Sequence, residues 1–166
     1  MALHIVLFEP EIPQNTGNIA RTCAAVGATL HLVHPLGFSL SEKHLKRAGL
    51  DYWPLLTLRE YSGIEEFMEQ KGTENLYFFT TKAQRIYAEV SYPEETYLVF
   101  GKESEGIPET ILVDHQNSCV RIPMRSQARS LNLSNSVAIA TYEYLRQAQF
   151  PDLGRTGTLH RLAWKE

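Results

Sequence analysis

Three loops combine glycine with polar side chains in runs that could hold a small molecule. They are Asn15-Thr16-Gly17-Asn18-Ile19-Ala20-Arg21, then Gly101-Lys102-Glu103-Ser104-Glu105-Gly106, then Ile122-Pro123-Met124 continuing to Ser130-Leu131-Asn132-Leu133-Ser134-Asn135. Glycine lets a ligand approach the backbone closely. The second loop has G-x-x-x-x-G spacing, but Ile107-Pro108 stands where a phosphate loop needs Lys and Ser/Thr, so it is not one. On its residues alone it reads as a structural turn or as a cofactor loop. No G-x-G-x-x-G follows the first strand, which leaves nicotinamide and flavin binding without support, and the hydrolase signature G-x-S-x-G is missing.

The third loop gathers Ser126, Gln127, Arg129, Ser130, Asn132, Ser134 and Asn135 beside an apolar Ile-Pro-Met run. Helix capping accounts for one or two of these residues. An apolar wall with convergent polar atoms is how small-molecule pockets are lined. Arg21 lies near Asn18 at helical i+3 spacing. A helical Arg reads as a surface charge, but the flanks Ile19-Ala20 and Cys23-Ala24-Ala25-Val26 predict a mostly buried environment, which favours a specific anionic or hydroxyl partner; both readings stand. Glu103 and Glu105 read as an acid/base pair or as solvated, helix-capping carboxylates. The six histidines show no metal-ligand spacing, His31 and His34 read as structural, and no metal is expected.

The elements that must position these loops alternate. His4–Phe8 predicts a buried strand, Thr16–Val26 a helix ended by Gly27, and Leu30–Val33 a second strand. A helix at Ser41–Arg47, a strand near Leu55–Leu58, a helix near Ile64–Gln70 and a strand at Leu76–Thr80 come next. Thr96–Phe100 is a strongly apolar strand that runs into Gly101, Val120–Ile122 gives a last short strand, and Asn132–Gln149 a long final helix. Such alternation predicts an α/β fold, a mainly parallel sheet with helices on both faces, as one domain over residues 1–166. Ligands then bind beyond the carboxyl ends of the strands.

Apolar residues make up 43% and charged residues 21%, as in ordinary globular chains. The N-terminal apolar stretch is too short for a signal peptide and no segment reads as membrane-spanning. Cys23 and Cys119 read as buried thiols of a reducing cytoplasm. The net charge of −3 hides an asymmetry: residues 1–120 carry 9 Lys or Arg against 16 Asp or Glu, and residues 121–166 carry 7 against 3. The basic C-terminal quarter suits local phosphate contacts or is an ordinary solvated surface.

Taken together, the blocks Glu9-Pro10-Glu11-Ile12-Pro13 with Asn15–Asn18 and Arg21, Arg47-Ala48-Gly49-Leu50-Asp51-Tyr52, Thr80-Thr81-Lys82, Phe100–Gly106 and Ile122–Asn135 resemble the SPOUT superfamily of RNA methyltransferases. Within it they are most similar to the single-domain TrmL/YibK-like tRNA ribose 2′-O-methyltransferases. The resemblance implies a C-terminal trefoil knot and S-adenosylmethionine as cofactor, with S-adenosylhomocysteine as product. It implies cofactor contacts at Phe79, Gly101, Ile122 and Ser130, with Leu131 and Met124 flanking the adenosine and Asn135 positioning ribose and cofactor. Arg21 and Asn18 are the implied catalytic residues, with Arg21 acting as base or, more easily for a group that stays protonated, as the orienting donor. Lys102 and Arg129 are implied for RNA phosphates. The implied substrate is the wobble ribose, on cytidine or modified uridine, of leucine tRNAs, and the implied assembly a cytoplasmic homodimer with shared active sites, its first and last helices at the interface where Ala138 and Ala140 suit close approach. Another tRNA or rRNA nucleotide, or a non-catalytic RNA-binding protein, are the competing readings. The loop Lys102-Glu103-Ser104-Glu105 is more charged than some loops of that family, and the chain continues past Pro151.

Overall fold

A computed structural model of the chain describes residues 2–40 and 50–165. Seven strands form one sheet: β1 (Ala2–Phe8), β2 (Thr29–Val33), β3 (Thr57–Tyr61), β4 (Leu76–Phe79), β5 (Arg85–Ile86), β6 (Glu95–Phe100) and β7 (Cys119–Arg121). Their order is β3-β2-β1-β6-β4-β7-β5, and every pairing between them is parallel. The central strands read as continuous apolar runs because both of their faces are covered.

Helices α1 (Pro13–Val26) and α4 (Leu133–Gln147) lie on one face, where Ile19, Cys23, Val137, Ala140, Tyr144 and Leu145 pack with Ile5, Leu7, Leu30 and Leu98. On the other face, α2 (Ile64–Lys71) and α3 (Glu109–Asp114) bring Phe67 and Leu112 onto Val6, Phe8, Phe78 and Val99. Cys23 and Cys119 are buried free thiols, and burial pushes the Cys23 thiol up to about 12.

The α/β architecture and the helices on both faces agree with expectation. The strand expected near Leu55–Leu58 is displaced. Leu50–Leu55 forms a 3₁₀ turn containing Pro54, Leu55 is 68% exposed, and the strand begins at Thr57. The expected helix at Ser41–Arg47 lies outside the described residues. β5 and α3 carry too few residues to show in the apolar pattern.

The strand order decides where a site can form. β1, β6, β4 and β7 are consecutive neighbours, so the loops after Phe8, Phe100, Phe79 and Arg121 open side by side at one edge of the sheet. β5 comes after β4 in sequence yet pairs with β7, so β7 sits between two strands that one short connection joins. That placement is compatible with the expected C-terminal trefoil.

Candidate active site

The four loops enclose a cleft of about 520 Å³. Its apolar wall is built by Phe79 and Phe100, stacked with ring centroids 4.8 Å apart, together with Ile122, Met124, Leu131 and Leu133. Polar groups enter from Thr80, Ser130, Asn132 and the loop 101–106.

That loop closes on itself. The Gly106 N–H donates to the Lys102 carbonyl at 2.9 Å, and Gly106 takes φ +74°. A Cβ at Gly101 would stand 2.0 Å from the Gly106 carbonyl carbon and 2.2 Å from the Ile107 nitrogen, so only glycine fits there. Both glycines therefore have a structural reason of their own, and the loop so closed also forms a wall of the cleft.

A reciprocal pair of carboxylates latches the loop to the first motif. Glu103 accepts from the Glu11 and Ile12 backbone N–H groups at 2.8 and 3.1 Å and from Asn15 Nδ2 at 3.1 Å. In return Glu11 accepts from the Ser104 N–H and Oγ, both at 2.9 Å, and these bonds hold its carboxyl below the usual carboxylate range. Asn15 is buried, and its Oδ1 accepts from Asn132 Nδ2 at 3.0 Å. Asn132 caps α4, its Oδ1 accepting from the Asn135 N–H and from Ser134 Oγ. The first polar segment, expected as a loop, is the start of α1, and its Asn15 thus ties that helix to the second and third polar loops. Glu103 acts as the capping carboxylate of the two readings, while Glu105 pairs with Lys102 at 3.1 Å.

Of the expected cofactor contacts, Phe79, Gly101, Ile122, Met124, Ser130 and Leu131 all line the cleft. Asn135 does not: it is exposed, and its backbone serves the Asn132 cap. Lys102 lines the cleft, but its ammonium sits between Glu9 at 3.4 Å and Glu105, and those hydrogen bonds raise its pKa. Arg129 is on the rim and makes no ion pair with a described residue.

Arg21 overturns its expected burial. It is exposed, lies off the cleft wall with Asn18, and stacks over the Tyr52 ring, Cζ 4.8 Å from the centroid, with Nη2 donating to the Tyr52 hydroxyl at 3.4 Å. The apolar flanks face inward, whereas residues 14, 18, 21 and 25 form the outward stripe of α1. Asn15 and Glu103 as cross-loop ties escape a reading of the sequence, because their partners lie about a hundred residues away. The Asn-rich composition of the first and third loops is the available signal.

His31 and His34 are structural, as expected. His31 is fully buried between Tyr61 and His4, at 2.9 Å from each, and His34 pairs with Glu60 at 2.8 Å. Among the described residues no cluster could hold a metal ion, and no helix is long and apolar enough to cross a membrane.

Residues 2–142 match the SpoU rRNA Methylase family. The chain belongs to that family. Relatives within it include the tRNA (cytidine(34)-2′-O)-methyltransferase of Saccharophagus degradans, 47% identical over 89% of this chain and 96% of its own. The enzyme of the same name from Escherichia coli K12 is 43% identical over 90% of this chain and 96% of its own. A solved structure concerned with 2-OH methylation of C/U34 on tRNA superposes with a TM-score of 0.84 at 46% identity, covering 89% of this chain and 97% of that one. The SpoU match bears out the family resemblance carried by the loop motifs.

Proposed function

We propose that the protein is an S-adenosylmethionine-dependent methyltransferase that modifies the ribose 2′-hydroxyl of nucleotide 34, the wobble position, in leucine tRNAs. The observation that carries this reading is a single cleft, walled by the second and third polar loops and tied through Asn15 to the first turn of α1, that six of the seven expected cofactor residues line. The relatives named for cytidine-34 methylation support the substrate class. The cleft fits the cofactor: its volume is that of a small-molecule site, and its apolar wall suits an adenine while Ser130, Asn132 and loop backbone suit ribose and amino-acid polar groups.

When bound, the cofactor supplies an electrophilic methyl group on a sulfonium. The 2′-hydroxyl is a poor nucleophile, so the protein must align it and ease loss of its proton. Arg21 donates to the hydroxyl oxygen and stabilises its developing charge, with Asn18 beside it on the same stripe of α1. Because both lie off the cleft of their own chain, this reading has them serve the cleft of a second copy. Exposed Ile12 and Leu131, just before α1 and α4, and exposed Ile139 and Tyr142 along α4 support such a homodimer. Ala140 is fully buried in the core of its own chain, so close helix approach there falls to Ala138. With Lys102 engaged by two glutamates, Arg129 is the phosphate contact. One folded unit spans the chain, working in the cytoplasm where tRNA is modified.

The test is incubation of the purified protein with total tRNA and methyl-labelled S-adenosylmethionine, followed by mass-spectrometric mapping. A 2′-O-methyl group at nucleotide 34 of leucine tRNAs is expected. Cofactor binding without methylation of any tRNA would overturn the enzymatic reading, and methylation of rRNA instead would overturn the substrate.

A further inference from the structure

After α4 the chain turns through Gln149, Phe150 and Asp152, all with positive φ between 52° and 64°. Side chains other than glycine rarely hold this conformation, and it persists where the surroundings enforce it. Here the Phe150 N–H donates to the Leu145 carbonyl at 2.8 Å, and Phe150 and Leu153 pack on the main core. The direction in which the C-terminal segment leaves the core is thereby fixed.

That segment is unlike the rest of the chain. Residues 154–165 are all exposed and include no Asp or Glu, but carry Arg155, His160, Arg161 and Lys165. None of these four makes an ion pair with a described residue. Leu162 is 78% and Trp164 72% exposed. Free cations interleaved with an exposed indole are the components of single-stranded nucleic-acid binding, where phosphates meet the cations and bases stack on the ring.

We propose that residues 154–165 form an RNA-binding arm that stacks Trp164 on an unpaired base of the RNA substrate and sets Arg155, Arg161 and Lys165 against its phosphates. This rests on the RNA-modifying function proposed above and adds a contact surface outside the cleft. The strained turn at 149–152 aims the arm, and the absence of carboxylates along it keeps its charge available to phosphate.

The test uses the full chain, the variant Trp164→Ala, and a triple variant carrying Arg155→Gln, Arg161→Gln and Lys165→Gln. All four positions are exposed, so folding is not at stake. Affinity for a leucine tRNA transcript is measured by fluorescence anisotropy across a salt series, and S-adenosylmethionine affinity by calorimetry without RNA. The triple variant is expected to reduce the slope of log affinity against log salt by about 2, at roughly 0.7 per lost single-strand phosphate contact. Trp164→Ala is expected to weaken tRNA binding at least about fivefold, while cofactor affinity holds. Unchanged tRNA affinity and slope in both variants, with the parent methylating tRNA normally, would overturn the arm and leave the function standing. Loss of slope in a protein that methylates no tRNA would keep the arm and overturn the function. A change in sedimentation mass at constant tRNA affinity would make the tail a protein contact and refute the proposal.

Discussion

Replacing Glu103 with alanine removes the acceptor for two backbone N–H groups leading into α1 and for the buried Asn15 amide. Losing a carboxylate at a helix N-terminus costs about 1 kcal/mol. Leaving a buried amide donor unsatisfied costs about 1 kcal/mol more, at the low end of the usual penalty. For a chain of this size the resulting 2 kcal/mol or so corresponds to a fall in Tm of about 4–8 °C. Glu103→Gln should lose less, because one carbonyl oxygen remains to accept, although its NH₂ then confronts donors. The Asn15 amide cannot simply turn round to meet it, since its Oδ1 already accepts from Asn132. Calorimetric unfolding of the three proteins, with S-adenosylmethionine binding measured in parallel, tests the latch. The expected order of Tm is parent, Gln, Ala, with cofactor affinity falling in the same order. An alanine variant that melts within a degree of the parent and binds cofactor equally well would refute the reasoning.

The two loop glycines should behave differently. Gly101→Ala drives a Cβ into the Gly106 and Ile107 backbone, so unfolding and binding measurements should show a loss of roughly 3 kcal/mol and of cofactor affinity, whereas Gly106→Ala meets no atom and should lose only about 1 kcal/mol through its positive φ. His31 is held neutral by burial, its pKa lowered to about 3. A lowered folded-state histidine pKa means that the unfolded chain binds more protons between about pH 6.5 and 3, so stability is lost as pH falls through that window, by up to about 1.4 kcal/mol per pH unit. Denaturant titrations from pH 7 to 5 should show this slope, and His31→Phe should flatten it. Tyr52→Leu removes the ring beneath Arg21 and should lower kcat about two- to fivefold with cofactor KM unchanged, whereas Tyr52→Phe keeps the ring and should stay close to parent activity.

The central sheet is legible in the sequence because β1, β2 and β6 are apolar runs covered on both faces. β3 is easily misplaced because Leu55-Leu56 looks like strand core, while the real edge strand, Thr57-Leu58-Arg59-Glu60-Tyr61, has a neighbour on one side only and is largely exposed. At the site, residue types identify the polar segments, and six of the seven expected cofactor contacts lie on the cleft. The burial expected of Arg21 comes from its neighbours along the chain, whereas its surroundings are set by its neighbours around the helix. Its flanking apolar residues are turned away from it by the 3.6-residue period. The Asn15 bridge joins residues 88 and 117 positions apart, and no local pattern encodes such a contact.

The charges of loop 101–106, more numerous than in some loops of the family, have an internal explanation. Glu103 holds the entry to α1, Lys102 spans Glu9 and Glu105, and Glu11 answers through Ser104. These groups are engaged in fixing the loop, so a phosphate would have to compete with two glutamates for Lys102, whereas Arg129 on the rim makes no ion pair with a described residue. The same ties reach further along α1. Asn15 and Arg21 are six residues apart on one helix, about 9 Å along its axis, and Ala20 and Cys23 of α1 belong to the same packed core as Val137 and Ala140 of α4. A rearrangement of the cofactor loop therefore cannot remain local. It acts on the start of α1 through Glu103 and on the cap of α4 through Asn15 and Asn132, and so on the helix that carries Arg21, the residue proposed to orient the hydroxyl.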